Sequence, residues 1–475
     1  EAGLNKYLFQ MANIRDQDSW VHMDQPEAAT EKAKDLVRMA VNKARKIEPI
    51  KTIKLGISPK ALVIGGGISG MTAALNLAEQ EFETYLIERN NDLGGHAKHI
   101  YGTLEGRDVQ DYLNELRGKI NGNKFIHVYT NSEIMEIDGY IGNFTTIIGQ
   151  GEEKIRRELE HGVIITATGA NEYEPENYLY GQNKNVIKQS TLEKLLNTSD
   201  QINNKNRIVM IQCVGSRNEE HPYCSKMCCA QAIKNALLIK EKNPKAEVVI
   251  LFRDIRTYGF KEIYYRKARE VGIIFLRYDK DNPPEVIEEN SSLNIIITTP
   301  NNDIIHMKSD LLVLSAGIVA PQGPNEELAK MLKVPLNDDN FFLEAHVKLR
   351  PVDFATDGIF VAGLAHCPKP IEDSISQANA AVSRACTILS KEEIEAAGRV
   401  GVVDPSRCSG CGQCVEVCAY NAVELIEDRR FGTIASINEA LCKGCGACSG
   451  NCRCSAIDIL GFTAEQIHAM ITGRL

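Results

Sequence analysis

Two cysteine runs near the C-terminus carry the strongest chemical signal in the chain. Cys408, Cys411, Cys414 and Cys418 follow the spacing C-x2-C-x2-C-x3-C, and Cys442, Cys445, Cys448 and Cys452 repeat it. Thiolates at this spacing bind two [4Fe–4S] clusters, and the fourth cysteine of each run ligates the cluster of the other. Cys408, Cys411, Cys414 and Cys452 are therefore assigned to one cluster, and Cys442, Cys445, Cys448 and Cys418 to the second. Gly410, Gly444 and Gly446 let the loops wrap closely and aim backbone N–H groups at sulfur. The proline that usually follows the fourth cysteine is replaced by Ala419 and Arg453, which loosens a turn but removes no ligand. Zinc is the competing reading. Cys454 is read as a spare thiol, and Cys367 and Cys386 as small buried hydrophobes.

A second cysteine group, Cys213, Cys224, Cys228 and Cys229, spans 17 residues and offers enough thiolate for one more [4Fe–4S] cluster. Adjacent Cys228 and Cys229 are unusual for this, because neighbouring side chains must diverge to reach two irons. Spacing alone leaves a zinc site, redox-active thiols or buried thiols open. The 15 cysteines are odd in number and sit in a long chain, which argues for metal ligation in a reducing cytoplasm rather than a disulfide framework.

The second kind of chemistry is dinucleotide binding. Leu62-Val63-Ile64 runs into Gly65-Gly66-Gly67-Ile68-Ser69-Gly70 and then a helical stretch, the strand–turn–helix setting that G-x-G-x-x-G requires. Gly65 allows the tight turn, Gly67 lets backbone approach a pyrophosphate, and Gly70 lets the helix pack on the strand. The helix N-terminus offers N–H groups and positive dipole to the anion. Glu88, ending Tyr85-Leu86-Ile87-Glu88, is placed to hold ribose hydroxyls, with Arg89 beside it; the acid fits FAD or NAD and disfavours a 2′-phosphate. Gly94-Gly95, the strand Ile164–Thr166 with its Ala167-Thr168-Gly169 turn, and the strand ending at Gly363 line the flavin in two-dinucleotide-domain flavoproteins that resemble thioredoxin reductase. Ser69 and Gln377 complete the flavin set, and together these features predict FAD. Such flavoproteins usually place Asp after the last glycine; here Leu364 stands there, so a backbone N–H is expected to substitute.

In those reductases an inserted domain carries its own glycine fingerprint for a nicotinamide. The matching strand end reads Cys213-Val214-Gly215-Ser216-Arg217 without three glycines, so no nicotinamide is expected there.

These residues need particular elements behind them. Strand and helix alternate from residue 58, as in βαβ units, and again from Arg207. The expected division is a helical lead-in (1–57), a FAD-binding domain in two parts (58–204 and 321–390), and an inserted unit (205–320). A charged helix or linker (391–401) and a two-cluster domain with a C-terminal helix (402–475) follow. The fold class is α/β, a thioredoxin-reductase-like two-dinucleotide-domain core plus an α+β bacterial-type 2[4Fe–4S] ferredoxin domain. In the lead-in, Asp24 and Pro26 start a helix whose Ala29, Ala33, Leu36, Val37, Ala40, Val41 and Ala44 share a face. The first residue is Glu1 rather than Met, which allows for missing upstream residues, and no signal peptide is read. Net charge is −9, so neither nucleic acid nor an anionic membrane is expected as a partner, and no apolar run reaches 18 residues, so no membrane span is expected.

The chain resembles the A-type flavoprotein subunit of heterodisulfide reductases over nearly its whole length. The resemblance rests on Asn13-Ile14-Arg15 through Ser19-Trp20-Val21-His22, the glycine motif, and Cys213 to Arg217. It extends through Pro222-Tyr223-Cys224, Cys228-Cys229, Arg253 to Gly259 and the terminal cysteine runs. It favours a cluster at Cys213–Cys229, making three [4Fe–4S] clusters with one FAD. It implies an oxidoreductase in a cytoplasmic complex whose FAD bifurcates or confurcates electron pairs. One electron goes to ferredoxin, and the other goes through iron–sulfur and cysteine-rich partner subunits to a disulfide. It further implies homodimerisation and a ferredoxin, hydrogenase-type or formate-dehydrogenase-type electron donor. A non-bifurcating relay and docking role is the alternative. Members usually carry Cys before Ser19, where this chain has Asp18, so a metal role there is lost. Many also carry a ferredoxin insert in the stretch corresponding to 101–160, which here contains no cysteine. Lys234, one helical stretch after Cys229, is expected either to stabilise reduced flavin as a catalytic residue or to be a solvated helix lysine.

Overall fold

The computed structural model describes residues 3–52, 54–289, 292–395 and 398–473. Ser58–Lys391 forms one unit, while Glu1–Ile57 joins Glu392–Leu475 in a second.

The larger unit is built on two five-stranded parallel sheets. In the first, Ile359–Val361, Val163–Thr166, Lys60–Ile64, Glu83–Ile87 and Ile126–Tyr129 lie in that order. Its central strands are covered on both faces, so they are apolar runs rather than alternating ones; Leu62, Val63, Val163, Ile164 and Ile165 have no exposed surface. Helices Ile68–Ala78 and Ile371–Leu389 pack one face. The antiparallel meander Ser132–Tyr140, Asn143–Gln150 and Ile155–His161 supplies Phe144, Ile148 and Leu159 to the other.

The second sheet has the order Val186–Lys188, Leu311–Ala316, Arg207–Val214, Glu247–Phe252 and Ile274–Arg277, again all parallel. It too carries a meander, Glu285–Glu289, Ser292–Thr298 and Ile304–Ser309. Its edge strand Val186–Lys188 and the helix Gln189–Thr198, whose Leu192 and Leu196 lie in its core, precede the expected boundary at 204/205. The inserted unit therefore reaches further upstream than the hydrophobic pattern indicates. Two antiparallel residue pairs, Glu172 with Ile318 and Asn171 with Val319, mark the two crossings of the chain.

In the smaller unit, strands Gly401–Val403 and Ile457–Ile459 pair antiparallel, as do Val423–Asp428 and Gly432–Ile437. The lead-in helix Pro26–Ala44 belongs here. Its cap is Gln25, with Pro26 in the first turn, rather than Asp24. Of the expected apolar face only Ala29 is buried, while Val37 and Val41 are exposed. Lys43 is buried instead, its ammonium 3.6 Å from the Phe462 ring centroid. The helix Ala464–Thr472 opens on a capping box of Thr463 and Gln466, and Gln466 Nε2 donates to Lys46 O at 3.1 Å. Part of the expected 391–401 linker is a strand, Glu393–Glu395, paired antiparallel with Lys54–Gly56; Ala396 and Ala397 lie outside the described residues. Among the described residues no helix is long and apolar enough to cross a membrane.

Candidate redox centres

The first sheet directs four strand C-termini to one edge, the place where open parallel sheets take ligands. Gly65 has φ +108°, and a Cβ there would meet Ala167 O at 2.2 Å. A Cβ on Gly70 would meet Gly65 O at 1.8 Å, so helix and turn touch through backbone. Around Gly67, by contrast, nothing lies within 4 Å of an added Cβ, leaving open space above the helix N-terminus. Gly94 bridges to Gly67, and Gly95 stands against Gly67 Cα. Glu88 is buried and accepts from Gly66 N–H at 2.7 Å and Asn90 N–H at 2.8 Å. Arg89 is exposed beside it. Gly363 closes against buried Ser69, and its N–H donates to Gln377 Oε1 at 3.0 Å. Gly169 follows Thr168, whose Oγ1 is buried without a hydrogen-bond partner among the described residues. An open glycine cradle and an unpartnered hydroxyl fit a dinucleotide such as FAD. All the expected flavin residues except exposed Arg89 thus gather around one sheet edge.

The second sheet presents the four-thiol group. Cys213, next to last in the strand Arg207–Val214, has φ +63°, unusual for a residue with a Cβ, where the ladder to Leu311–Ala316 shifts register. Cys228 and Cys229 occupy the first turn of the helix Cys228–Lys242. Burial pushes the Cys228 thiol up, and the charges of Cys229, Cys213 and Cys224 push it further, so the four sulfurs share one neighbourhood. Burial likewise raises Cys229 to about 11, and it raises Cys213 against the opposing charges of Arg253 and Arg217. Thiols that repel one another as anions in a buried site fit a cationic iron core, which removes that repulsion. Arg217 donates to Asp254 at 2.7 Å, Arg253 Nη1 donates to Arg217 O at 2.6 Å, and Lys226 N–H points at Cys224 Sγ at 3.3 Å. Gly215, in the place of a nicotinamide loop, stands against the Tyr173 ring, 2.1 Å from an added Cβ.

The two C-terminal runs enclose two cavities. One is lined by Cys408, Cys411, Cys414 and Cys452; the other by Cys442, Cys445, Cys448 and Cys418. The fold brings each fourth cysteine to the opposite run. Backbone N–H groups aim at sulfur in matching fashion: Ala422 to Cys418 at 3.3 Å, Ala456 to Cys452 at 3.2 Å, Ala435 to Cys408 at 3.4 Å and Gly401 to Cys442 at 3.3 Å. Gly410 and Gly444 press against Thr433 O and Arg399 O, which a Cβ would strike. Cys454 also lines the first cavity, 3.5 Å from Ser409 Oγ. Among the described residues no three His, Cys, Asp or Glu side chains converge on a single-ion site; a four-iron cluster asks for one thiolate per iron instead.

Lys234 is not a solvated lysine. It is largely buried, and its ammonium meets Glu193 Oε1 at 2.5 Å and Gly102 O at 2.7 Å. Burial lowers its pKa, opposed by Glu193. The structure also corrects the reading of Cys367 as a small hydrophobe. Cys367 is half-buried, 3.7 Å from His366 Nδ1, in a polar group with Lys369 and Glu344 that follows Gly363. His-Cys-x-Lys after a strand-end glycine was the available signal, but its charged partner Glu344 comes from another segment. An apolar junction joins the first two centres: Leu364, next to Gly363, packs with Tyr223 and Met227, which flank the cysteines, around Ala170, Ile318 and Phe341.

Residues 59–211 match the family described as pyridine nucleotide-disulphide oxidoreductase, and residues 402–424 match the 4Fe-4S binding domain. The chain is 38% identical to an A-type iron-sulfur subunit of the CoB–CoM heterodisulfide reductase of Methanopyrus kandleri, over 90% of this chain and 79% of that one. It is 36% identical to the A-type subunit of the H(2):CoB-CoM heterodisulfide,ferredoxin reductase of Methanothermobacter thermautotrophicus, over 90% and 78%. Among solved structures, thioredoxin reductase of Lactococcus lactis aligns at 17% identity and TM-score 0.49, covering 70% of this chain and 99% of that one.

Proposed function

The chain belongs to the family of A-type subunits of heterodisulfide reductase, and from that premise we propose that it is the electron-dividing component of a heterodisulfide-reductase-type complex. It is an oxidoreductase of the flavin and iron–sulfur class. When bound, FAD exchanges electron pairs with one partner and single electrons with clusters. The chain's own part is to hold these groups close and to tune them.

The observation that carries the reading is the Leu364–Tyr223–Met227 junction, which sets the glycine cradle and the Cys213–Cys229 thiols against a shared apolar wall. Apolar side chains between the two groups give single electrons a short packed path. Gly65, Gly67 and Gly70 would hold the pyrophosphate, Glu88 the ribose, and Thr168, Gly363 and Gln377 would approach the ring. Cys213, Cys224, Cys228 and Cys229 would ligate one cluster, and the two C-terminal sets one each. The chain so loaded passes electrons to iron–sulfur and cysteine-rich partner subunits in the cytoplasm, works as a homodimer, and exchanges electrons with ferredoxin or a hydrogenase- or formate-dehydrogenase-type donor.

Composition tests the cluster count: the anoxically purified chain is expected to hold about twelve iron atoms and one FAD. Cys228→Ser is expected to remove about four irons while FAD stays bound. Electron division is tested in the reconstituted complex. Ferredoxin reduction that appears only when the disulfide is present, in equal electron yield, supports the proposal. Disulfide reduction that proceeds undiminished without ferredoxin would replace it with the relay reading.

A further inference from the structure

Cys367 stands beside Gly363 and Gln377 of the flavin set, among three side chains, His366, Lys369 and Glu344, that none of the centres above uses. Its sulfur lies 3.7 Å from His366 Nδ1, and His366 Nε2 lies 2.8 Å from Glu344 Oε2. A nucleophile, a base and a carboxylate that orients the base are the elements of an activated thiol. Lys369 adds a buried cation. Its ammonium sits 3.3 Å from His366 Nδ1 and donates to Gly363 O at 2.6 Å. Gln377 bridges the same histidine, 2.9 Å away, to Gly363 N–H, so the imidazole is held from three sides. The charges facing the sulfur are Lys369, His366 and Lys226, the last from the loop between Cys224 and Cys228; Glu344 and Asp373 face His366 and Lys369.

We propose that Cys367 is a nucleophilic thiolate that performs thiol–disulfide exchange with a small disulfide, with Lys369 and His366 holding the thiolate and Glu344 positioning His366. The sulfur attacks one sulfur of R–S–S–R, a Cys367–S–S–R bond forms, the R–S–S–R bond breaks, and R–S⁻ leaves; no outside oxidant or reductant enters. The proposal stands independently of electron division in the complex. Burial opposes the charged form of Cys367, but the His366 hydrogen bond and the charges of Lys369, His366 and Lys226 outweigh it, leaving the thiol at about 7. A thiol there is about half ionised at pH 7. Set against the lower nucleophilicity of a weaker base, it reacts about threefold faster than an unperturbed thiol at that pH, and the advantage grows as pH falls.

The test uses the anoxic holoprotein with substoichiometric 4,4′-dithiodipyridine, quenched and mapped by peptide mass spectrometry from pH 5.5 to 9. The Cys367 peptide is expected to carry the mixed disulfide, with a rate midpoint near 7. Cys367→Ser removes this phase. His366→Asn and Lys369→Met move the midpoint upward, Lys369→Arg restores it, and Glu344→Gln moves it by a smaller step in the same direction. A merely structural role would leave the midpoint in place. Labelling of Cys367 that rises only above pH 8, or a low-pH phase that survives in Cys367→Ser, overturns the proposal.

Discussion

Removing the ammonium of Lys234 would leave the Glu193 carboxylate, 1% exposed, without its charge partner. Breaking such a buried pair from one side destabilises by about 3–5 kcal/mol, whereas removing both charges is far milder. Lys234→Met is therefore expected to lower the denaturant midpoint strongly, and Lys234→Met with Glu193→Gln to recover most of it. His161 gives a pH prediction. It is buried and bonded to Thr146 Oγ1 and Val163 O, and burial holds it down to about 3. The unfolded chain, with an ordinary histidine pKa of about 6.5, binds a proton there that the folded chain refuses, so stability is full above that pH and falls as pH drops toward 3. Between pH 7 and pH 5 the loss is about 2 kcal/mol, and thermal unfolding of His161→Gln is expected to be flatter across that window. Residues of these two kinds were unequally legible. The cysteine runs announce themselves by a repeated spacing, whereas the partners of Lys234 and Cys367, Glu193 and Glu344, arrive only through tertiary folding.

The two sheets repeat one plan at the level of elements: an edge strand, the strand after a meander, then three strands in chain order. Their sequences show no repeat, because a buried parallel strand asks only for an apolar run. Those runs made most strands legible. The edge strand Val186–Lys188 was not, since three residues carry no periodicity, and the unit boundary was misplaced with it. The decisive difference between the sheets lies in one turn. After Lys60–Ile64 the turn leaves open space at Gly67, but around the end of Arg207–Val214 the residues Cys213, Gly215 and Arg217 take positive φ values and Tyr173 covers Gly215. Backbone there leads into the cysteine group and lacks the open space found around Gly67. Rapid mixing of the holoprotein with NADH is accordingly expected to leave the flavin absorbance unchanged over seconds. Bleaching within the dead time would mean that a nicotinamide is held by some other surface.

At the scale of the whole molecule, the chain is a unit carrying the two C-terminal cysteine runs, interrupted by a two-sheet unit. The partners of the N-terminal lead-in are not legible in its sequence, because Lys43 meets Phe462 and Lys46 O meets Gln466 only once the C-terminal segment is folded. The point of interruption is defined by backbone pairing: Gly56 is the register partner of Glu393, and Ile57 N–H donates to Glu392 O at 3.1 Å. Two strands that meet this way need only a short turn to become a hairpin, and Asn-Gly supplies the positive φ values that a two-residue turn demands. Replacing 58–391 with Asn-Gly is therefore expected to give a folded protein with about eight irons and no flavin. The excised piece 58–391 is expected to keep FAD and about four irons. The same C-terminal segment, 392–475, made without residues 1–57 lacks the strand Lys54–Gly56 and the helix that stacks Lys43 on Phe462. Its clusters are expected to be lost faster to a chelator than those of the joined protein, followed by visible absorbance. Equal rates would mean that the lead-in stabilises nothing in the unit it joins.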